Sequence, residues 1–226
     1  MIATFVIEIV LAAYTLFRYK LNTLGRLAVA MLVALAVFQL CEFHVCSGWG
    51  VRATEWSRLG YVAITLLPAL GLHMLHVIAG KPHRKLVAAA YVTMAGFIAY
   101  FLLVPSAFRS YQCTGNYVIF QIGERAAIMY GLYYYGWLLA ALSLGVSWAN
   151  EFKAKGDTHK RQLNGVKALV IGYLVFLVPT AMANSVTPST RRGIPSIMCG
   201  FAVLFALILA LYILPRLGLK RTHPDK

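Results

Sequence analysis

Two histidines on one apolar segment are the residues whose type and spacing most directly indicate chemistry. His73 and His76 are three positions apart, so both side chains can lie on one face of a helix. Such a pair could bind Zn²⁺ or a haem iron, but the site would need further ligands at the same depth, and the sequence supplies no good candidate. The competing interpretation is that both histidines hydrogen-bond between helices or meet lipid headgroups. No cofactor is therefore expected, and a metal- or haem-dependent membrane enzyme is kept as an alternative hypothesis.

Acidic and amide side chains form a second candidate site. Gln39, Glu42 and Cys46 have the spacing i, i+3, i+7, so they share one face of the second apolar segment. An ionisable group within a bilayer is costly to bury and indicates function. With a helix rise of about 1.5 Å per residue, Glu8 lies about 10 Å and Glu42 about 6 Å from the outer surface. We expect Glu8, Gln39 and Glu42 to contact a ligand in one outward-facing cavity, and Glu42→Gln to weaken its binding without preventing folding.

An aromatic face follows on the fifth apolar segment. Tyr130, Tyr133, Tyr134 and Trp137 recur at helical spacing. Aromatic residues near a membrane interface commonly form a headgroup belt, and this face could equally stack on a flat ligand. Tyr130, Tyr134 and Trp137 are the candidates for an aromatic wall of the ligand site.

Two of the four cysteines are predicted to form a disulfide. Cys46 ends the second apolar segment and Cys113 lies in the loop between the fourth and fifth, both facing an oxidising compartment. The alternative is two unpaired thiols. Cys41 and Cys199 are expected to be free thiols within the membrane, where cysteine behaves as a small apolar residue.

The loop that contains Cys113 has the pattern of a β-hairpin. Strand-forming residues flank a Thr-Gly-Asn turn at 114–116. A hairpin fixed by a disulfide would act as a lid over the outer mouth of a helix bundle. An irregular loop that covers helix ends is the other interpretation of the same residues.

The composition places these candidate residues in a membrane protein. The chain is 60% apolar and only 12% charged, against roughly 25% charged residues in soluble domains. Its apolar runs approach the roughly 20 residues that a spanning helix needs, and they do not alternate as barrel strands do. We predict one all-α integral membrane domain over 1–226, a bundle of seven transmembrane helices at 2–19, 27–46, 59–79, 86–105, 127–149, 165–185 and 194–215.

The distribution of cations predicts the orientation. Of 21 Lys and Arg residues, 15 lie in one set of loops and 6 in the other. The positive-inside rule puts the richer set in the cytoplasm, with the N-terminus outside and the C-terminus inside. The net charge of +14 is thus interpreted as cations facing the anionic lipid of the bilayer, and nucleic acid is not an expected partner.

Several functional classes lack their sequence signatures. The seventh segment has no lysine for a retinal Schiff base, and no hydrolase, nucleotide-binding, zinc-protease or c-type haem motif occurs. The segment after the seventh helix, from Arg216 to Lys226, is too short for an output domain. We therefore expect any signal to pass to a separate protein partner.

Some apolar markers are similar to those of a known family. A Trp-Ser-Arg-Leu-Gly segment at 56–60 precedes Leu-Pro-Ala-Leu at 67–70, and Trp137 is followed by Lys-Arg-Gln at 160–162 and by Pro179. These features resemble the seven-transmembrane N-terminal sensor region of bacterial histidine kinases, over roughly half of the chain. The resemblance implies an outward-open module that senses a small molecule or the state of the envelope. No kinase domain follows the seventh helix here.

The sequence thus predicts a stand-alone, receptor-like sensor of the bacterial inner membrane. Its unidentified small-molecule ligand would be lipophilic and would bind in the outward-facing cavity. An accessory subunit of a larger membrane complex is the second hypothesis, and the histidine-based enzyme is the third.

Overall fold

The structure is a computed structural model, and it describes residues 1–19, 21–47, 53–114, 117–186 and 194–217. Helices account for most of these residues. The helices are α1 Ile2–Arg18, α2 Thr23–Ser47, α3 Ala53–Ala79, α4 Arg84–Leu103, α5 Glu124–Ala154, α6 Lys160–Val186 and α7 Ile194–Leu207. After α7 the same helix continues as a π-helical stretch, Ile208–Ile213, and ends with Leu214–Arg216.

Six helices in the described ranges are long and apolar enough to cross a membrane, namely α2 to α6 and the continuous α7 with its extension. The chain is therefore a multi-pass membrane protein. The first helix has 17 residues and packs along α2 and α7. The predicted segments correspond to the observed helices, although α2, α3 and α5 begin earlier than predicted because polar residues extend their ends.

Large apolar side chains cover the outside of the bundle. Phe17, Val92, Leu103 and Val186 are each more than 70% exposed. A soluble protein rarely leaves so many contiguous apolar side chains in water, whereas in a bilayer they face hydrocarbon. These residues form helices because a bilayer core offers the backbone no hydrogen-bond partner outside its own segment.

The second and third helices form the centre of the bundle, and α4 lies at its edge. Phe38, Leu72 and Met74 are completely buried between them. Only Ala90 and Phe101 of α4 are buried. The loosely packed α4 leaves clefts on either side of its first turn.

A two-stranded antiparallel sheet connects α4 to α5. Its strands are β1 Phe108–Cys113 and β2 Val118–Ile122, and Cys113 pairs with Val118 in register. The predicted hairpin is present, and β1 begins before the strand-forming segment that the sequence marked. Residues 115 and 116 of the predicted turn lie outside the described residues.

Candidate functional site

The hairpin of β1 and β2 is fixed to three different helices, and the first attachment is to α3. The guanidinium group of Arg58 donates to the carbonyl oxygens of Leu102 at 2.9 Å, Val104 at 3.1 Å and Pro105 at 2.9 Å. These carbonyls belong to the end of α4 and the turn before β1, where α4 no longer continues to pair with them; the Val104 carbonyl oxygen also accepts the Ala107 N–H at 3.2 Å. A single arginine thus fixes the point at which the chain leaves α4.

The second attachment is a disulfide to α2. Cys46 and Cys113 are bonded and lie 67 positions apart in the sequence, so the predicted pairing is confirmed. Cys41 and Cys199 are free and buried, as expected. The disulfide fixes the far end of β1 against the end of α2.

The third attachment joins β2 to α7. The backbone N–H of Val118 donates to Ser196 Oγ at 3.0 Å. The side chain of Ser196 also interacts with the carboxyl group of Glu42 on α2. Ser196 therefore connects the hairpin, α7 and α2 through one side chain.

An aromatic cluster lies directly beneath the hairpin. The ring of Tyr61 on α3 contacts Phe108 of β1 at 5.0 Å, Phe120 of β2 at 5.4 Å and Tyr130 of α5 at 5.5 Å between ring centroids. Such edge-to-face and tilted contacts stabilise aromatic pairs beyond their buried area. Tyr61 thereby positions the hairpin relative to the helices below it.

A cavity of about 750 Å³ opens beside this cluster, between β2, α5 and the start of α7. Aromatic and apolar side chains make up most of its wall, with two charged side chains, Arg109 and Glu124. The lining residues on the helices include Tyr61, Tyr130, Tyr134, Tyr135, Met198 and Cys199.

Two of the three predicted aromatic-wall residues line this cavity. Tyr130 donates to or accepts from the Thr65 hydroxyl at 3.1 Å, and Tyr133 donates to the Thr65 carbonyl oxygen at 2.6 Å. These bonds hold the tyrosine face of α5 against α3. Trp137 does not line the cavity, whose lining on α5 ends at Tyr135. Its indole N–H is donated to Thr93 Oγ1 of α4 at 2.9 Å.

The three predicted polar ligand contacts, Glu8, Gln39 and Glu42, are buried in the bundle and do not line the cavity. Glu8, Gln39 and Glu42 are at most 2% exposed, and the two carboxyl groups interact electrostatically. Glu42 also interacts with Tyr61 and Cys199 of the cavity wall. The three residues form a buried polar cluster, and none of them lines the cavity.

This polar cluster has few hydrogen bonds. Neither carboxyl oxygen of Glu8, nor Oε1 of Glu42, nor Nε2 of Gln39 has a hydrogen-bond partner among the residues that the structure describes. Unpartnered polar groups at this depth are costly. Glu42 has few partners other than Ser196, so a movement of Ser196 would change the environment of the Glu42 carboxyl group.

The two candidate metal-ligating histidines have separate partners. His73 Nδ1 lies 3.0 Å from the Tyr91 hydroxyl, and His76 donates its Nδ1–H to the Leu72 carbonyl oxygen at 2.8 Å. Within the described ranges, no group of three His, Cys, Asp or Glu side chains is arranged to hold a metal ion. Both histidines line a second cavity at the opposite end of α3 from the hairpin.

Apart from the disulfide, sequence reasoning did not identify the residues that join the hairpin to the bundle. Tyr61 lies on α3 and Ser196 on α7, and Arg58 was noted only as a loop cation and as part of a family marker. The available signal was weak: Arg58 is an arginine near a helix start, and Ser196 follows a proline. Their roles depend on contacts between segments far apart in the sequence.

No protein-family model, no curated protein and no solved structure matches this chain.

Proposed function

We propose that this protein is a receptor-like membrane sensor that binds a small lipophilic molecule in the cavity beneath the hairpin. The observation that carries the proposal is the cavity of about 750 Å³, which lies under a hairpin attached to α2, α3 and α7. Its volume falls within the roughly 300–1,000 Å³ that is typical of small-molecule sites. The resemblance to sensor regions of bacterial histidine kinases supports the same function.

The proposed topology is a seven-span bundle in the bacterial inner membrane, with α1 as the first span. The N-terminus and the hairpin lie outside and the C-terminus lies in the cytoplasm. Two independent arguments support this orientation. The loops at the end opposite the hairpin hold most of the Lys and Arg residues, and a disulfide such as Cys46–Cys113 is stable in the oxidising compartment outside.

The cavity wall indicates the chemistry of the ligand. Tyrosine rings, Met198 and Cys199 offer an apolar and polarisable surface for a flat or branched hydrocarbon body. Arg109 and Glu124 are exposed charged groups at the hairpin end, where one polar end of the ligand would meet them. The preferred ligand is thus amphipathic, with a single polar group.

The buried polar cluster provides a route from the cavity to the rest of the bundle. A ligand that displaces β2 or the first turn of α7 alters the contact of Ser196 with Glu42. The same α7 ends in the π-helical stretch Ile208–Ile213, a geometry frequent at functional sites. A movement of α7 would reach the cytoplasmic surface, where a separate protein partner receives it.

The test is to fill the cavity and measure the retained ligand. An added Cβ at Gly131, which lines the cavity, meets no atom within 4 Å, and the same holds at Gly136 on the same helix, which does not line it. Gly131→Phe should therefore occupy the cavity, while Gly136→Phe is the matched control that faces away from it.

Native mass spectrometry on protein purified gently from its own membrane is the measurement. The wild type and Gly136→Phe should carry a small organic mass that Gly131→Phe lacks. Equal retention by all three proteins, or no bound mass in the wild type, would contradict the proposal. A bound polypeptide at fixed stoichiometry without a small molecule would favour an accessory subunit instead.

A further inference from the structure

The first turn of α4 lies between two cavities at the end of the bundle opposite the hairpin. One cavity, of about 460 Å³, separates α4 from α3, and its lining includes His73, His76 and Tyr91. The other, of about 760 Å³, separates α4 from α5 near Leu144. Residues 82–84, just before and at the start of α4, line both cavities.

The start of α4 carries positive charge without compensation. Helix N-termini present free backbone N–H groups and favour anions, and His83 precedes this helix without making a side-chain cap. The side chains of Arg84 and Lys85 are exposed, and no hydrogen bond or ion pair joins either of them to another described residue. The nearby carboxylate of Glu151 is already paired with Lys81 and with Lys155.

A buried histidine in the same cavity has one ring nitrogen without a hydrogen-bond partner among the described residues. His76 is 3% exposed, and its Nδ1–H is donated to the Leu72 carbonyl oxygen. Its Nε2 has no hydrogen-bond partner in the part of the chain that the structure describes. The ring is held edge-on against Trp148 and His83, with centroid distances of 5.0 and 5.8 Å. An unpartnered buried nitrogen beside an uncapped helix start indicates that a polar ligand group completes the site.

The flanking walls are apolar, and α4 is the least buried of the spanning helices. Val87 and Ala88 line one cleft, and Leu86, Ala89 and Leu144 line the other. A free anion would leave these clefts unfilled, whereas a lipid has hydrocarbon chains that fit them.

We propose that the first turn of α4 binds the phosphate group of an anionic phospholipid, with Arg84, Lys85 and the helix N–H groups around the phosphate and the acyl chains in the two clefts. His83 and His76 form the inner wall of this site. Among the residues that the structure describes, the nearby carboxylate of Glu151 is already paired, so the unpaired cations favour a lipid of net negative charge over a zwitterionic one. This site is separate from the proposed ligand cavity and does not depend on it.

The experiment offers delipidated protein an equimolar mixture of phosphatidylglycerol and phosphatidylcholine and counts bound lipids by native mass spectrometry. The wild type should retain one phosphatidylglycerol in clear preference to phosphatidylcholine. Arg84→Gln should lower that retention about tenfold, the scale of a lost charge-assisted hydrogen bond. Lys153→Gln, an exposed cation at the end of α5, is the control and should change little.

Three outcomes would overturn the proposal. Equal retention of the two lipids by the wild type would do so, and this comparison needs no variant. An equal loss in Arg84→Gln and Lys153→Gln would show only a diffuse charge effect. Release of the lipid by millimolar inorganic phosphate would show a site for a soluble phosphate ion instead. Circular dichroism of each variant shows whether the helical fold is retained.

Discussion

Removal of the Cys46–Cys113 disulfide should loosen the hairpin far more than the helices. The bond closes a loop of 67 residues, and treating its effect as lost loop-closure entropy gives about 4 kcal/mol at 25 °C. Helices α2 to α4 stay in the bilayer when tertiary contacts are lost, so Cys46 and Cys113 remain restricted even without the bond. The entropy that the disulfide removes from the unfolded state is therefore smaller than in a soluble chain. We therefore expect Cys46→Ala with Cys113→Ala to reduce the free energy of unfolding by about 2 kcal/mol, the lower end of the usual range.

Hydrogen exchange distinguishes a local from a global effect. In the double variant, the backbone amides of β1 and β2 should exchange faster, while those in the centre of α2 and α3 should change little. The hairpin keeps its bond to Ser196, and Arg58 still holds the turn before β1, so the hairpin should remain folded part of the time. Cys41→Ala, which removes a buried thiol that forms no disulfide, is the control. Unchanged exchange in β1 and β2 would refute the role of the disulfide in fixing the hairpin.

Three further substitutions test individual contacts. Arg58→Gln removes charged donors from three carbonyl groups, so we expect a loss of about 2 kcal/mol, seen as faster hydrogen exchange at the start of β1. Ser196→Ala leaves the Val118 N–H unpaired and should lower the thermal midpoint by an amount equivalent to about 1–3 kcal/mol. Gly172→Ala places a Cβ 2.6 Å from the Phe205 ring and should cost about 1–3 kcal/mol by overpacking, whereas Gly96→Ala meets open space and should leave the midpoint nearly unchanged.

Local sequence patterns predicted the helices and the hairpin because each depends on neighbouring residues. Apolar runs of sufficient length form spanning helices wherever they occur, and strand-forming residues around a turn pair with each other. The Cys46–Cys113 bond was predictable because only those two cysteines were placed at the same membrane surface. The ends of α5 were less predictable, since its final turns are polar and hold Glu151 with Lys155.

The composition of the cavity could not be predicted in this way. Helical spacing placed Tyr130, Tyr134 and Trp137 on one face, but spacing does not show how deep a cavity extends, and Trp137 lies beyond its lining. Glu8 and Glu42 were expected to line one outward-facing cavity; they interact with each other, but neither lines the cavity. Which side chains of α2 and α3 reach the cavity depends on how these two helices pack, and the spacing along one helix does not show this.

The most direct test of the proposed function is an experimental density map of the protein purified gently from its own membrane. The proposal predicts continuous non-protein density in the cavity, in contact with Tyr134 and Met198 and with its polar end towards Arg109. A cavity that holds only water, or one closed by the protein's own side chains, would contradict ligand binding at this site.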